Sequence, residues 1–376
     1  MATKLRAGVI GAGGISRNHI HGYLACGRFD VVALADLSET PMQGIDEQFD
    51  LNTTHYQDAR EMLAREALDV VSVCTWHSDH APWTIAAAAA GPKAILCEKP
   101  MAEDLGRAEE MIVACRRNDV KLVIGHQRRF LPAYTAVRKL IAEGAIGRVE
   151  MMLCFGGQGL PNFSSHQTDM FRYILGDDEC EWVMGNVERK TDRHERNTRI
   201  EDSAVGVFQF QCGARALLLA DVTPTFYQGA HIYGSEGTIR FSTQDLHLLN
   251  RETKGNWQRF EPEGRFYTVA ESGDRFEWIE GASGQADELA DWVEGKVAIH
   301  RSAGEQGYKA LEMLMAIYES ARRHEQVYLP LQTRVNPLDL MIDSGHLEVE
   351  RPGRYDIRSF LLRGEEMQAH HDRSDD

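Results

Sequence analysis

The sequence predicts an α/β chain with two unlike halves. The first is a doubly wound parallel sheet. The second is an α+β half built on a mostly antiparallel sheet. Three observations carry this expectation. Apolar runs alternate with helical patterns from Ala7 to Ile124, as in repeated β-α units. From Arg148 the texture changes to short period-two stretches with turn residues between them. A length of 376 residues exceeds one ordinary core.

Ala7 to Ile10 read as the first buried strand, followed by Gly11-Ala12-Gly13-Gly14-Ile15-Ser16 and a helical pattern. The template is GxGxxG, with Ser16 in place of the last glycine. Gly11 allows the tight turn, and Gly13 lets backbone approach a pyrophosphate. That anion sits at a helix N-terminus, where free N–H groups and the helix dipole favour negative charge. Ser16 is small enough for close packing of helix on strand. Val31 to Ala35 form a second strand that ends in Asp36, where a ribose 2′-hydroxyl is bound in such units. Together these features predict a Rossmann dinucleotide-binding unit. Asp36 repels a 2′-phosphate and no arginine follows it directly, so NAD is preferred over NADP.

The alternation continues through "ALDVVSVCT", a helix stopped by Gly91, "KAILCEKP", the helix "DLGRAEEMIVACRRND" and the strand "VKLVIGHQRRF". In parallel sheets ligands gather at the carboxyl ends of strands, where "CTWHSDH" and "CEKP" both lie. His77, Asp79 and His80 have the residue types of metal ligands. A strand-end loop beside a cofactor accounts for them without one, and no metal is expected. In the second half, "QTDMFRYILGD" reads as a helix stopped at Gly176, with His166 and Asp169 on one face and Arg172 three residues further. Tyr227 is either a packed aromatic or a substrate wall. "GEQGYKALEMLMAIYESARRHEQ" reads as an amphipathic helix.

There are 41 Lys+Arg against 57 Asp+Glu, a net charge of −16, which argues against nucleic acid and anionic membrane as partners. The N-terminus shows no apolar signal core, and "TIAAAAAG" is far too short to span a bilayer. Seven scattered cysteines with no CxxC spacing read as core thiols of a reduced cytoplasm.

Five motifs together resemble the glucose–fructose oxidoreductase / inositol dehydrogenase (Gfo/Idh/MocA) family over residues 5 to 330. They are the glycine turn, Thr75-Trp76-His77-x-x-His80, Glu98-Lys99-Pro100, "QRRFLPAY" followed by "EGAIGRVE", and His166-x-x-Asp169. The resemblance implies a dinucleotide-binding domain over 1–126 and a substrate and assembly domain over 127–330. The second domain would carry a large open sheet whose free face joins copies into a dimer or tetramer. Residues 331–376 extend beyond the family pattern, and their last ten or so residues are polar and expected to fray.

The resemblance also assigns roles. Lys99 and His166 become the catalytic pair, with either able to accept the proton. Gly11, Gly13, Gly14, Ile15, Asp36, Thr75, Trp76, His77, His80, Glu98, Lys99 and Gln127 face the cofactor. Asn162, Asp169, Arg172, Tyr227 and Arg128 face the substrate. Inositol dehydrogenases of the family often carry aspartate four residues before the histidine. Asn162 stands there, and an amide cannot accept a proton, so the substrate stays open. The implied reaction is hydride transfer between nicotinamide and a secondary ring hydroxyl of a sugar, glycoside or cyclitol. The alternatives are glycoside 3-oxidation with tightly held NAD, NAD-dependent glycoside hydrolysis, and a non-catalytic dinucleotide sensor.

Overall fold

A computed structural model describes residues 4–223, 228–243, 245–262, 268–269, 276–277 and 279–361. Tyr227 and the polar end of the tail, about which the sequence raised expectations, lie outside the described residues. The chain divides into two compact units: residues 1–102, 107–132 and 264–308, and residues 103–106, 133–263 and 309–376.

In the first unit, strands and helices alternate: β1 (Leu5–Ile10), α1 (Ser16–Cys26), β2 (Phe29–Ala35), α2 (Glu39–Phe49), β3 (Thr54–Tyr56), α3 (Ala59–Arg65), β4 (Val70–Val73), α4 (His77–Ala90), β5 (Ala94–Cys97), α5 (Leu105–Arg117) and β6 (Lys121–Ile124). Helix α5 begins within the second unit's short 103–106 segment. The six strands form one parallel sheet in the order β3-β2-β1-β4-β5-β6. Strands β4 and β5 are buried at every residue, as a sheet covered on both faces requires. The strand order reverses at β1, which opens the ligand-binding crevice at its carboxyl end. Sequence reasoning did not find β3. Three residues are too few to show a period, and the strand exists as an edge partner for β2.

The second unit holds α6 (Pro132–Ala142, whose first residue closes the preceding unit), β7 (Val149–Gly156), a π-helical turn (Leu160–Ser164) and α7 (Ser165–Ile174). There follow β8 (Cys180–Glu188), β9 (Thr191–Glu195), β10 (Thr198–Arg199), β11 (Ser203–Phe210), β12 (Arg215–Ala220), β13 (Gly229–Gly234), β14 (Gly237–Ser242), β15 (Leu246–Asn250) and β16 (Gln258–Phe260). The short β17 (Thr268–Val269) and β18 (Phe276–Glu277) and helix α8 (Ile279–Val293) return to the first unit. The chain ends with α9 (Gly304–Arg323), β19 (Val327–Tyr328), α10 (Pro337–Asp343) and β20 (Arg351–Asp356).

Nine strands form the large sheet, in the order β16-β15-β14-β13-β7-β12-β11-β8-β19. Only β7 and β12 pair in parallel. Its strands alternate as the period-two pattern predicted. Met152, Cys154, Phe208 and Leu218 are buried on one face, where Ile317 of α9 lies against Gly185 and Gly206. Leu153, Phe155, Val205, Val207, Leu217 and Leu219 are only partly covered on the other. In the extension, β20 adds in parallel to β9 in a separate sheet, β10-β9-β20. Among the described residues no helix is long and apolar enough to cross a membrane.

Helix α8 packs on α1 within the first unit. The contact depends on Gly22, because a Cβ there would stand 2.6 Å from the carbonyl oxygen of Ala282. Backbone cannot yield as a side chain can. Gly22→Ala should therefore destabilise the protein by about 1–3 kcal/mol despite alanine's better helix propensity. A fall in the urea unfolding midpoint checks this, and an unchanged or raised midpoint contradicts it.

Candidate active site

The glycine turn is set by one close approach. Gly11 has φ +90°, and a Cβ on it would lie 2.7 Å from the carbonyl oxygen of Cys74. At Gly13 and Gly14 the situation is opposite: a Cβ would meet nothing within 4 Å. They face open space at the N-terminus of the 11-residue α1, which is what a pyrophosphate needs. Ile15 is the residue before the helix, and the Ser16 hydroxyl donates to the carbonyl of Gly13 at 2.7 Å. Asp36 sits at the end of β2. Its carboxylate accepts from Ala12 N at 2.8 Å and from Ser38 N at 2.9 Å. It therefore fixes the turn at the end of β2. Arg17 was missed by sequence reasoning. Its guanidinium donates to the Gly13 carbonyl at 3.0 Å and to Gln48 at 2.9 Å, bracing the turn from α1.

A second group lies at the ends of β4, β5 and β6. Thr75 and Trp76 follow β4, and the buried His77 opens α4. His80 is buried with Nδ1 2.7 Å from the carbonyl of Pro100 and Nε2 3.2 Å from that of Thr75. It staples the two strand-end loops together. Burial pushes its pKa down, against the two carbonyls and the charge of Glu98. The Lys99–Pro100 bond is cis. Gln127 and Arg128 follow β6, both buried. Among the described residues none hydrogen-bonds the buried Oε1 of Gln127, which leaves an acceptor for a ligand. The open cradle over α1, the Asp36 carboxylate and this orphan acceptor fit a dinucleotide.

Beneath Lys99 runs a buried polar chain that the motifs did not reveal. His19 and Tyr23, four apart on α1, share a face. His19 Nε2 donates to Glu98 Oε1 at 3.0 Å, and Nδ1 lies 3.1 Å from the Ser72 hydroxyl. Ser72 in turn lies 2.7 Å from Tyr23 OH. Glu98 Oε2 accepts from the backbone N of Lys99 at 3.1 Å. Burial raises the Glu98 pKa. The His19 hydrogen bond and charge, with the charges of Lys99 and His80, outweigh it and hold Glu98 below its ordinary 4.5. A buried carboxylate thus holds the backbone of Lys99 and feels the charge of its side chain. Cys74 and Cys97 are buried beside it, and burial raises both thiol pKa values well above their usual range.

In the second unit, Asn162 lies in the π-helical turn, and His166 and Asp169 follow on α7, at 5%, 6% and 2% exposure. The Asn162 carbonyl accepts from the Ser165 hydroxyl at 3.1 Å. Phe163 meets His166 edge-on, with ring centroids 6.4 Å apart. Arg172 is buried and donates to the carbonyls of Asp177 at 3.0 Å and Asp178 at 3.2 Å, closing the loop after α7. Lys99 belongs to the first unit and His166 to the second.

The first unit's turn, acid and lysine define a NAD-dependent oxidoreductase. Comparison with known proteins agrees. The family described as "oxidoreductase family, NAD-binding Rossmann fold" matches residues 5–126, and its C-terminal alpha/beta domain matches residues 138–329. The chain belongs to this Gfo/Idh/MocA oxidoreductase family. It is 30% identical over 273 residues to a D-apiose dehydrogenase of Paraburkholderia graminis, covering 66% of this chain and 71% of the relative. It is 26% identical over 251 residues to a myo-inositol 2-dehydrogenase of Thermotoga maritima, covering 62% and 74%. A levoglucosan dehydrogenase solved with NADH and levoglucosan shares the fold, with TM-score 0.75, 22% identity, and coverage of 88% and 100%.

Asp36→Ala should weaken NAD about tenfold, the loss of one or two charged hydrogen bonds. It should weaken NADP less, because removing the carboxylate also removes its repulsion of the 2′-phosphate. Titration of both cofactors checks this, and equal weakening takes Asp36 off the ribose. The depressed pKa of Glu98 means that its stabilising charge is fully present above about pH 4.5 and is lost as pH falls through its lower folded value. Glu98→Gln should cost about 3 kcal/mol at pH 7, and the deficit should shrink in acid. Urea unfolding at pH 7 and pH 4 tests it.

Proposed function

We propose that the protein oxidises a secondary ring hydroxyl of a sugar, glycoside or cyclitol, or reduces the corresponding ketone. The observation that carries this reading is Lys99, whose backbone N–H is held by the buried carboxylate of Glu98 at a strand end of a dinucleotide fold. Relatives named for D-apiose, myo-inositol and 1,5-anhydro-D-fructose support the substrate class. They are dehydrogenases and a reductase, which favours net oxidoreduction over glycoside cleavage or cofactor sensing.

NAD, when bound, supplies the carbon that accepts the hydride. Gly11, Gly13, Gly14 and Ile15 receive its pyrophosphate, Asp36 its ribose, and Thr75, Trp76, His77 and Gln127 its nicotinamide side. The Lys99 ammonium holds the substrate hydroxyl and stabilises the negative charge growing on its oxygen. The imidazole of His166 takes the proton. Asn162 orients hydroxyls as both donor and acceptor without taking a proton. Asp169, one turn along the same helix face, orients His166. Arg128 and Tyr227 complete the substrate contacts in this reading, and Arg172 supports them by closing the loop after α7.

The proposal places cofactor binding in residues 1–126 and substrate binding and assembly in 127–330. The half-covered apolar face of the nine-stranded sheet supports a homo-oligomer joined there. The free cysteines, five of them buried, support a reducing compartment, which we assign as the cytoplasm.

A panel of D-apiose, myo-inositol, levoglucosan and common aldoses, read by NADH absorbance, tests the reading. At least one should reduce NAD in stoichiometric amount. Lys99→Ala and His166→Ala should each lower kcat by about 10²–10⁴-fold, the usual scale for proton-transfer groups, with NADH affinity unchanged. No NADH from any of them, or near-native turnover in either variant, overturns the assignment.

A further inference from the structure

The family's C-terminal domain matches residues up to 329, and the chain then continues. The described part of this extension is not an appendage. Strand β20 adds to β9 in parallel, and its last residue, Asp356, is 1% exposed. Its carboxylate accepts from three backbone donors: Arg196 N at 3.3 Å, Asn197 N at 2.9 Å and Arg358 N at 2.8 Å. Arg196 and Asn197 form the two-residue connection between β9 and β10, both with positive φ. Asp356 thus takes up the N–H groups of a hairpin turn that belongs to the family domain, and locks the tail to it.

Past that lock, Arg358 reaches Gln158. Its Nη2 donates to the side-chain carbonyl of Gln158, and its Nε lies 3.8 Å from the buried carboxylate of Glu195. Arg196 donates to the same Glu195 oxygen at 2.5 Å. Gln158 stands at the head of the segment that carries Asn162 and leads into His166. This backbone is irregular: Gln158 and Gly159 have φ of 59° and 80° before the π-helical turn. Its N–H groups find no ladder and are taken by carboxylates instead. Asp221 accepts from Gln158 N at 3.0 Å and Gly159 N at 2.9 Å, and Glu201 accepts from Leu160 N at 2.7 Å. Those holds come from within the family domain. The hold on the Gln158 side chain comes from the extension.

We propose that Arg358 is a positioning residue for the substrate side of the site. It fixes Gln158 and, through the turn, the placement of Asn162 and His166, so that the extension tunes which substrate is accepted. The kinetic part of this proposal rests on the functional reading above. Arg358 touches neither cofactor nor the reacting carbon in this account; it acts through Gln158.

The test compares Arg358→Ala, Arg358→Lys, Gln158→Ala and the double variant Arg358→Ala/Gln158→Ala in the full chain. Amide hydrogen exchange should accelerate about tenfold in peptides over 157–166 in either alanine variant, as local opening becomes easier. Peptides over 309–323 should not change, and the double variant should exchange no faster than either single one, since both remove one bond. With the fastest substrate of the panel, kcat/KM should fall about tenfold, an effect of misplacement, while KM for NAD holds and Arg358→Lys recovers most of the loss. Unchanged exchange over 157–166, additive effects in the double variant, or altered exchange with native kcat/KM each overturn the proposal. Gln158→Ala breaks the same bond while leaving the tail intact, so a folding defect of the arginine variants does not decide the matter. The exchange measurements need no substrate. A panel without turnover therefore counts against the functional reading alone, and the exchange result still decides whether the bond positions the turn.

Discussion

Backbone that leaves a strand to build a site has N–H groups that no ladder satisfies, and in this chain carboxylates take them. Asp36 binds the glycine turn through Ala12 and Ser38, Glu98 binds Lys99, Asp221 and Glu201 bind residues 158 to 160, and Asp356 binds the β9–β10 turn. An unpaired buried N–H costs about 1–3 kcal/mol, so each clamp fixes a conformation that would otherwise be poorly populated. A charged acceptor serves better than a carbonyl, because its hydrogen bonds are shorter and stronger. The rest of both units can be regular because these few places carry the irregularity.

Each clamp must itself be made tolerable in the interior. Glu98 keeps its charge through His19 and the positive groups around it. Glu201 is handled otherwise. Burial raises its pKa, against the Tyr318 hydroxyl, which donates to it at 2.5 Å, and the N–H of Leu160. One carboxylate is thus biased toward its charged form, while burial biases the other toward neutrality. Two residues of the same type diverge because cationic neighbours outweigh burial at one, while at the other burial outweighs the hydrogen bonds from a phenol and an N–H.

Much of the first unit could be read from sequence because its signals are local. The glycine turn, the apolar strands and Asp36 each lie within a short window, and the parallel sheet followed from their alternation. The period-two texture likewise gave the antiparallel sheet. What stayed hidden was set by distant partners. The edge strand β3 exists only beside β2. Helix α8 belongs to the first unit because Gly22 lets Ala282 approach, more than 250 residues away in sequence. Nothing near His19 in sequence points to its partner, because Glu98 lies 79 positions on. Arg172 was read by helix spacing as a face-mate of His166. Spacing gives the side of the helix but not the length of the reach, and the guanidinium extends to the carbonyls beyond the helix end.

The free thiols of the chain bear on how the protein meets oxidants. Only a thiolate reacts readily, and burial suppresses that form at Cys74, Cys97, Cys115 and Cys180. Even Cys212, the exposed one, is pushed up by partial burial and by Asp178 beside it. An enzyme that moves two electrons at a time through its cofactor thereby keeps its own sulfur out of the exchange. Of the seven thiols only Cys212 is exposed, so a reagent in solution finds a single open sulfur on this chain.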